Sequence, residues 1–405
     1  MHRSLRALLV SGALVGSLVA SLPASVSAAS VTTRWVDADG RVGRTGCDGT
    51  SRSAHRTIQQ GVDAANAADV VKVCPGSYVG RVVISGARDG LVLQAAVYDR
   101  RPVLEARDAF GASPRHLITI DSVSKVTVRT LRIRPSLATS HASCSPSTGI
   151  RAIDATRVVI AYNDIRPAGS GAFCGVHDGI TASRGTTGII THNVIRDFRD
   201  NGIDISGAST DVIVESNRVT LSDEGAGNAG GAAIVARAGA SVILRHNSLR
   251  APAPTPGDPL PPAGIELDTH GEPSSVHGND IYRYASAIKV TRANGATIRD
   301  NTMSGGQVGL NLLDADGADV SANTSTGATV HALFVAGGGD GSSDASKTTG
   351  AQIYDNDLRS DANGANPDCL GDSDPAGYVA AMNHFAGNEV TTSSPAEMCG
   401  GVAPV

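Results

Sequence analysis

The chain has 405 residues, a formal net charge of -5 from 34 basic and 39 acidic residues, and only 3% aromatic residues. That length suffices for a large core, and the negative balance argues against a nucleic-acid surface. After the first 29 residues no apolar run approaches the ~20 residues that span a bilayer, so no membrane anchor is expected.

Residues 1–29 place Arg3 and Arg6 ahead of an apolar run, then Pro23 and a stretch of small residues ending at Ala28 and Ala29. This is the pattern of a secretory signal peptide and predicts a secreted, extracellular protein. Its removal takes away two arginines and no acid, which makes the remainder more negative. Six cysteines in an exported chain predict disulfides. Their spacing favours the local pairs Cys47 with Cys74, Cys144 with Cys174, and Cys369 with Cys399.

Residues 57–65 carry apolar side chains at helical spacing and lead into a short strand pattern over residues 70–78. A solenoid whose end rung would otherwise expose its core needs such a cover, so a capping helix is predicted here. The boundaries read as a leader over 1–29 and one domain over 30–405. Within that domain, 30–80 hold the N-terminal cap and first rung, and 360–405 the C-terminal cap.

Between the caps the chain repeats. Asn163, Asn193, Asn217, Asn247, Asn279, Asn301, Asn323, Asn356 and Asn388 recur two residues before an apolar position, Ser325 being the exception. A small residue followed by Ile or Leu precedes the first seven: Gly149, Gly179, Gly202, Ala233, Gly264, Ala287 and Gly309. The distance from that small residue to the asparagine is 14 or 15 residues each time, whereas asparagine spacings range from 22 to 33. Over these seven units length variation is therefore almost wholly confined to the connection after the asparagine. Leu131 stands where an upstream asparagine would.

Each unit alternates apolar and polar residues, as short strands do. So short a unit cannot bury its own apolar face and must stack on its neighbours. The predicted fold is all-β, a right-handed parallel β-helix. The asparagines read as structural, each amide bonding its equivalents in adjacent rungs.

The run TIQQGVDAANAADVVKVCPGSYVGRVVIS over residues 57–85, followed by the asparagine rungs, resembles the pectin-lyase-like superfamily of parallel β-helices. That superfamily includes polysaccharide lyases, polygalacturonases, pectin esterases and C5-epimerases. The resemblance covers residues 35–390 and implies a secreted carbohydrate-active protein with an acidic polysaccharide as partner, taken to be a monomer. Asn201-Gly202-Ile203-Asp204 looks like part of the first polygalacturonase acid motif, but the slot for the second reads Gly230-Gly231-Ala232-Ala233-Ile234. His277 matches that family's histidine motif only loosely. Pro75 to Tyr78 looks like the entry of pectin esterases, whose later motifs have no counterpart.

The insertions leave the same corner of successive rungs and should wall the strand that follows. Its outward positions, by register, are Arg151, Thr181, Asp204, Val235, Glu266, Lys289 and Asn311, with Ser206, Arg237, Asp268 and Thr291 two residues on. His177, Asp178, Asp200, His270 and Arg292 flank this patch. Charges on a solvated sheet face are the structural alternative. For a lyase of a uronate-containing glycan, the catalytic candidates are Lys289 as base, Arg237, Asp204 and Asp178. Arg292, Arg151, His177 and His270 would bind substrate, and Glu266, Asp268 and Asp204 would hold Ca2+. An inverting hydrolase or related epimerase would instead use carboxylates such as Asp204 with Glu266 or Asp178. A glycan-binding solenoid without catalysis is the third reading.

Overall fold

The structure is a computed structural model and describes residues 30–44, 46–106, 116–135, 148–167, 176–222, 230–253, 259–336, 348–360, 368–372, 383–394 and 399. The chain divides into Met1–Val31 and Thr32–Val405, and the architecture below is that of the second unit. The expected leader and the Cys144 to Cys174 pair lie outside the described residues, as do residues 136–147, 168–175, 223–229 and 254–258 of the walling insertions. Cys47–Cys74 and Cys369–Cys399 are disulfides, as their spacing predicts.

Each rung contributes one strand to each of three parallel sheets, which hold 12, 13 and 11 strands among the described residues. In one rung these are Thr148–Ile153, Val158–Ala161 and Asp164–Ile165. The next places Val176–Ser183, Thr187–Thr191 and Val194–Arg196 on top of them in register. We call the sheets containing Thr148–Ile153, Val158–Ala161 and Asp164–Ile165 the first, second and third sheets. With its right-handed crossovers the molecule is a right-handed parallel β-helix, as predicted.

The core lies inside the three sheets. Ile118, Ile150, Ile180, Ile203, Ile234, Ile265, Ile288, Leu310 and Leu333 stack in one column, all fully buried. Each such side chain contributes about 1.5–3 kcal/mol by leaving water. The small residue before each is explained by a close approach. A Cβ on Gly179 would lie 2.5 Å from the Gly202 carbonyl oxygen of the next rung and 2.6 Å from Ile195 Cγ2.

The asparagines form the predicted ladder. Asn217 donates its backbone N–H and its Nδ2 to Asn247 Oδ1, at 3.0 and 3.1 Å, and Asn247 repeats this toward Asn279. Each Nδ2 also reaches a backbone carbonyl of an earlier rung, as Asn247 reaches Val214 at 2.9 Å. Leu131 closes the upstream end, its N–H donating to Asn163 Oδ1 at 3.1 Å.

The predicted capping helix is Ile58–Asp63, started by a capping box in which Thr57 and Gln60 exchange hydrogen bonds. It lies close on the second-sheet strands Thr33–Val36 and Val70–Val73, where a Cβ on Gly61 would stand 2.5 Å from Val36 Cγ2. Gln59 of this helix bonds the backbone of Val83, accepting its N–H at 2.7 Å and donating to its carbonyl at 3.2 Å. Val83 belongs to Val82–Ser85, the end strand of the first sheet.

Candidate active site

The first sheet carries the charged patch in the predicted register. Arg151, Thr181, Asp204, Val235, Glu266, Lys289 and Asn311 pair rung to rung, and Ser206, Arg237 and Asp268 do the same alongside. Neighbouring strands stand ~4.8 Å apart, so successive members of a column fall within side-chain reach.

Adjacent rungs pair opposite charges. Arg237 Nη2 donates to Asp204 Oδ2 at 2.5 Å, and Lys289 Nζ donates to Glu266 Oε1 at 2.9 Å. Arg292 grips both oxygens of Asp268, at 2.9 and 2.5 Å, and His270 Nε2 lies 3.4 Å from the same carboxylate. A cleft of about 430 Å³ opens over these rungs, lined by Asp200, Asn201, Val235, Arg237, Glu266 and Asp268 with Gly230 and Gly231.

The alternation of the strand predicts a solvent-facing Asp204, yet its side chain is only 9% exposed, because the half-exposed Arg237 folds over it. Burial, then the neighbouring Asp178 carboxylate, holds Asp204 above the usual carboxylate range, and Arg237 offsets this only in part. Its Oδ1 is buried and has no hydrogen-bond partner among the described residues.

At one lip of the cleft, His177 bridges two acids. Nδ1 lies 2.8 Å from Asp178 Oδ2 and Nε2 lies 2.9 Å from Asp200 Oδ2. The hydrogen bond to Asp178 raises the His177 pKa from 6.5 in spite of burial. Asp178 is itself buried, and its Oδ1 accepts from Asn201 N–H and Nδ2 at 3.1 and 3.2 Å. Asn201 Oδ1 accepts from Ala232 N–H at 3.1 Å, which ties three rungs together.

Arg151 stands at the upstream end, with Nη1 2.8 Å from His116 Nε2. His116 escaped the sequence reading. Burial, then Arg151 and Arg81, lower its pKa to about 4. It occupies the position two residues before the stacked Ile118, the same position as Asp178 relative to Ile180, and that register could have found it. Tyr284, two residues before the strand that carries Lys289, is fully buried core.

The three expected calcium ligands do not gather. Asp204, Glu266 and Asp268 each face a different basic side chain. Among the described residues, the only group of three or more His, Cys, Asp or Glu ligand atoms close enough to share an ion is Asp37 with the disulfide-bonded Cys47 and Cys74. As arranged, the patch does not fit a hard cation needing many oxygens.

A family profile described as right handed beta helix region matches residues 100–249. A search of curated sequences gives no match. Among solved structures, the chain is similar to the GH136 lacto-N-biosidase from Eubacterium ramulus (TM-score 0.56, 12% identity, covering 88% of this chain and 67% of that one). It is also similar to an alginate lyase from Paenibacillus (TM-score 0.50, 16% identity, 66% and 92% covered). A third is the A-module of the mannuronan C-5 epimerase AlgE4 of Azotobacter vinelandii (TM-score 0.50, 16% identity, 88% and 95% covered). The chain thus has the right-handed parallel β-helix fold. The same scaffold carries a lyase, a lacto-N-biosidase and an epimerase in these three neighbours, so the fold alone does not fix the chemistry.

Proposed function

We propose that the protein is an exported carbohydrate-active enzyme, a polysaccharide lyase that cleaves a uronate-containing glycan by β-elimination. The observation that carries this reading is the Arg237 guanidinium, anchored from below by buried Asp204 and opening onto a cleft that Glu266 also lines, with Lys289 paired to Glu266 from the next rung. A guanidinium so fixed is suited to grip a uronate carboxylate. Drawing charge from that carboxylate acidifies the carbon beside it.

Glu266 takes the proton from that carbon. The bond from the neighbouring carbon to its glycosidic oxygen breaks, a carbon–carbon double bond forms, and the departing oxygen takes a proton from Lys289. In this reading the proton acceptor is Glu266 rather than Lys289, whose Nζ donates to Glu266 Oε1 at 2.9 Å. No step runs through calcium. Export is supported by the two disulfides and by the leader pattern. No helix among the described residues is long and apolar enough to cross a membrane.

The test is ultraviolet absorbance of unsaturated uronides while purified protein is incubated with polygalacturonate, alginate and glycosaminoglycans, with chelator and without. Absorbance should rise on one polymer and resist chelator. Arg237→Ala, Glu266→Gln and Lys289→Ala should each lower the rate by roughly 10²–10⁴. New reducing ends without absorbance would replace elimination by hydrolysis, a reading that the raised Asp204 pKa favours. Loss of activity in chelator would bring back the calcium site. No product of either kind would leave a binding solenoid.

A further inference from the structure

A second cleft, of about 750 Å³, opens at the corner where the third sheet ends, beside Tyr282, Arg283, Gly305, Gly306 and Gln307. It lies just before the strand Ser286–Thr291 that carries Lys289. Arg283 distinguishes it. Arg237, Lys289, Arg292 and Arg250 are each ion-paired with a carboxylate, whereas Arg283 has no carboxylate partner among the described residues. Its guanidinium lies instead over the Tyr282 ring, 4.5 Å from the centroid.

The backbone here is strained in favour of that arginine. Arg283 has φ +64°, in the left-handed region that costs any residue with a Cβ energy, and the matching corner of the next two rungs is taken by Gly305 and Gly327, at φ +67° and +66°. Upstream, Asp197 takes the same corner at φ +52°, a residue type that tolerates it. Gly305 also makes room for the arginine: a Cβ there would stand 3.1 Å from Arg283 Cγ. Backbone strain retained beside a cleft is a recurrent feature of ligand clamps.

We infer that this cleft is a binding subsite for an anionic sugar, with Arg283 taking a carboxylate or sulfate substituent and Tyr282 buttressing both the guanidinium and the sugar. The side chains of Ser304, Gln307, Thr326 and Thr329 along its wall offer hydrogen bonds to hydroxyls. From the proposed function the inference takes only that the ligand is a glycan.

The test is calorimetric binding to Glu266→Gln protein, which separates it from turnover. The probes are hexasaccharides of galacturonate, mannuronate and chondroitin sulfate, with cellohexaose as the neutral control. One anionic hexamer should bind, more weakly at high salt, and cellohexaose should not; the uronate and sulfate arms identify the substituent. Arg283→Gly supplies the residue this backbone prefers, so its melting temperature should equal or exceed that of the parent while affinity falls at least about tenfold. Arg283→Lys should recover part of the loss. Unchanged affinity in Arg283→Gly, equal binding of cellohexaose, or no binding of any anionic hexamer would each overturn the inference.

Discussion

His116 and His177 stand two strands apart on the first sheet and are shifted in opposite directions. Arg151 donates to Nε2 of His116, so the ring's one proton sits on Nδ1, and a second proton would face two arginines in a partly dry setting. His177 has the reverse surroundings, an acid at each nitrogen. The signs follow by linkage. With its folded pKa near 4, below 6.5, His116 contributes stability that is fully present above pH 6.5 and lost as pH falls toward about 4. With its pKa raised, His177 contributes stability that is present below pH 6.5 and lost as pH climbs through its folded value. Thermal melts across pH 4–8 should therefore show an acid limb that His116→Gln flattens and an alkaline limb that His177→Gln flattens. An unchanged acid limb in His116→Gln would mean that His116 is not buried against Arg151 in solution.

At the scale of one rung, the ladder concentrates many hydrogen bonds on few side chains. Asn247 Oδ1 satisfies both nitrogens of Asn217, and its Nδ2 serves Val214 and Asn279. Asn247→Ala should cost about 3 kcal/mol in denaturant unfolding, since it strands several buried polar groups at once. Asn388→Ala, at the downstream end and half-buried, should cost less. Rung geometry was legible in the sequence because it repeats: a Gly179 or an Ala233 fixed at 14 residues from its asparagine places every outward residue in register. Side-chain pairing does not repeat. Nothing in the spacing says that Arg237 bends over Asp204, or that Arg292 chooses Asp268, because each rung carries a different pair. His116 was missed for a related reason, since its rung ends in Leu131 and lacks the ladder's marker.

The β-helix unit, Thr32–Val405, is a stack with two ends, and the ends carry its risk of self-association. Val82–Ser85 has one neighbour strand and would offer a ready edge to another chain. Gln59 occupies both backbone groups of Val83 from the capping helix. Gln59→Ala should leave the rungs folded but shift light scattering toward dimers or larger species as concentration rises; a monodisperse Gln59→Ala would show that the helix alone suffices.

The constant register of the first sheet has a further consequence. Because insertion lengths leave the strand pairing unchanged, the strands of that sheet advance by the same ~4.8 Å from rung to rung. The sheet is in effect a graduated scale, with one outward residue at each mark. A linear polymer lying along the axis, with a repeat near that step, would stay in phase with the marks for many units. Such a polymer could slide by one unit and meet the same backbone under different side chains, so position along the scale, rather than shape, would decide which unit is held.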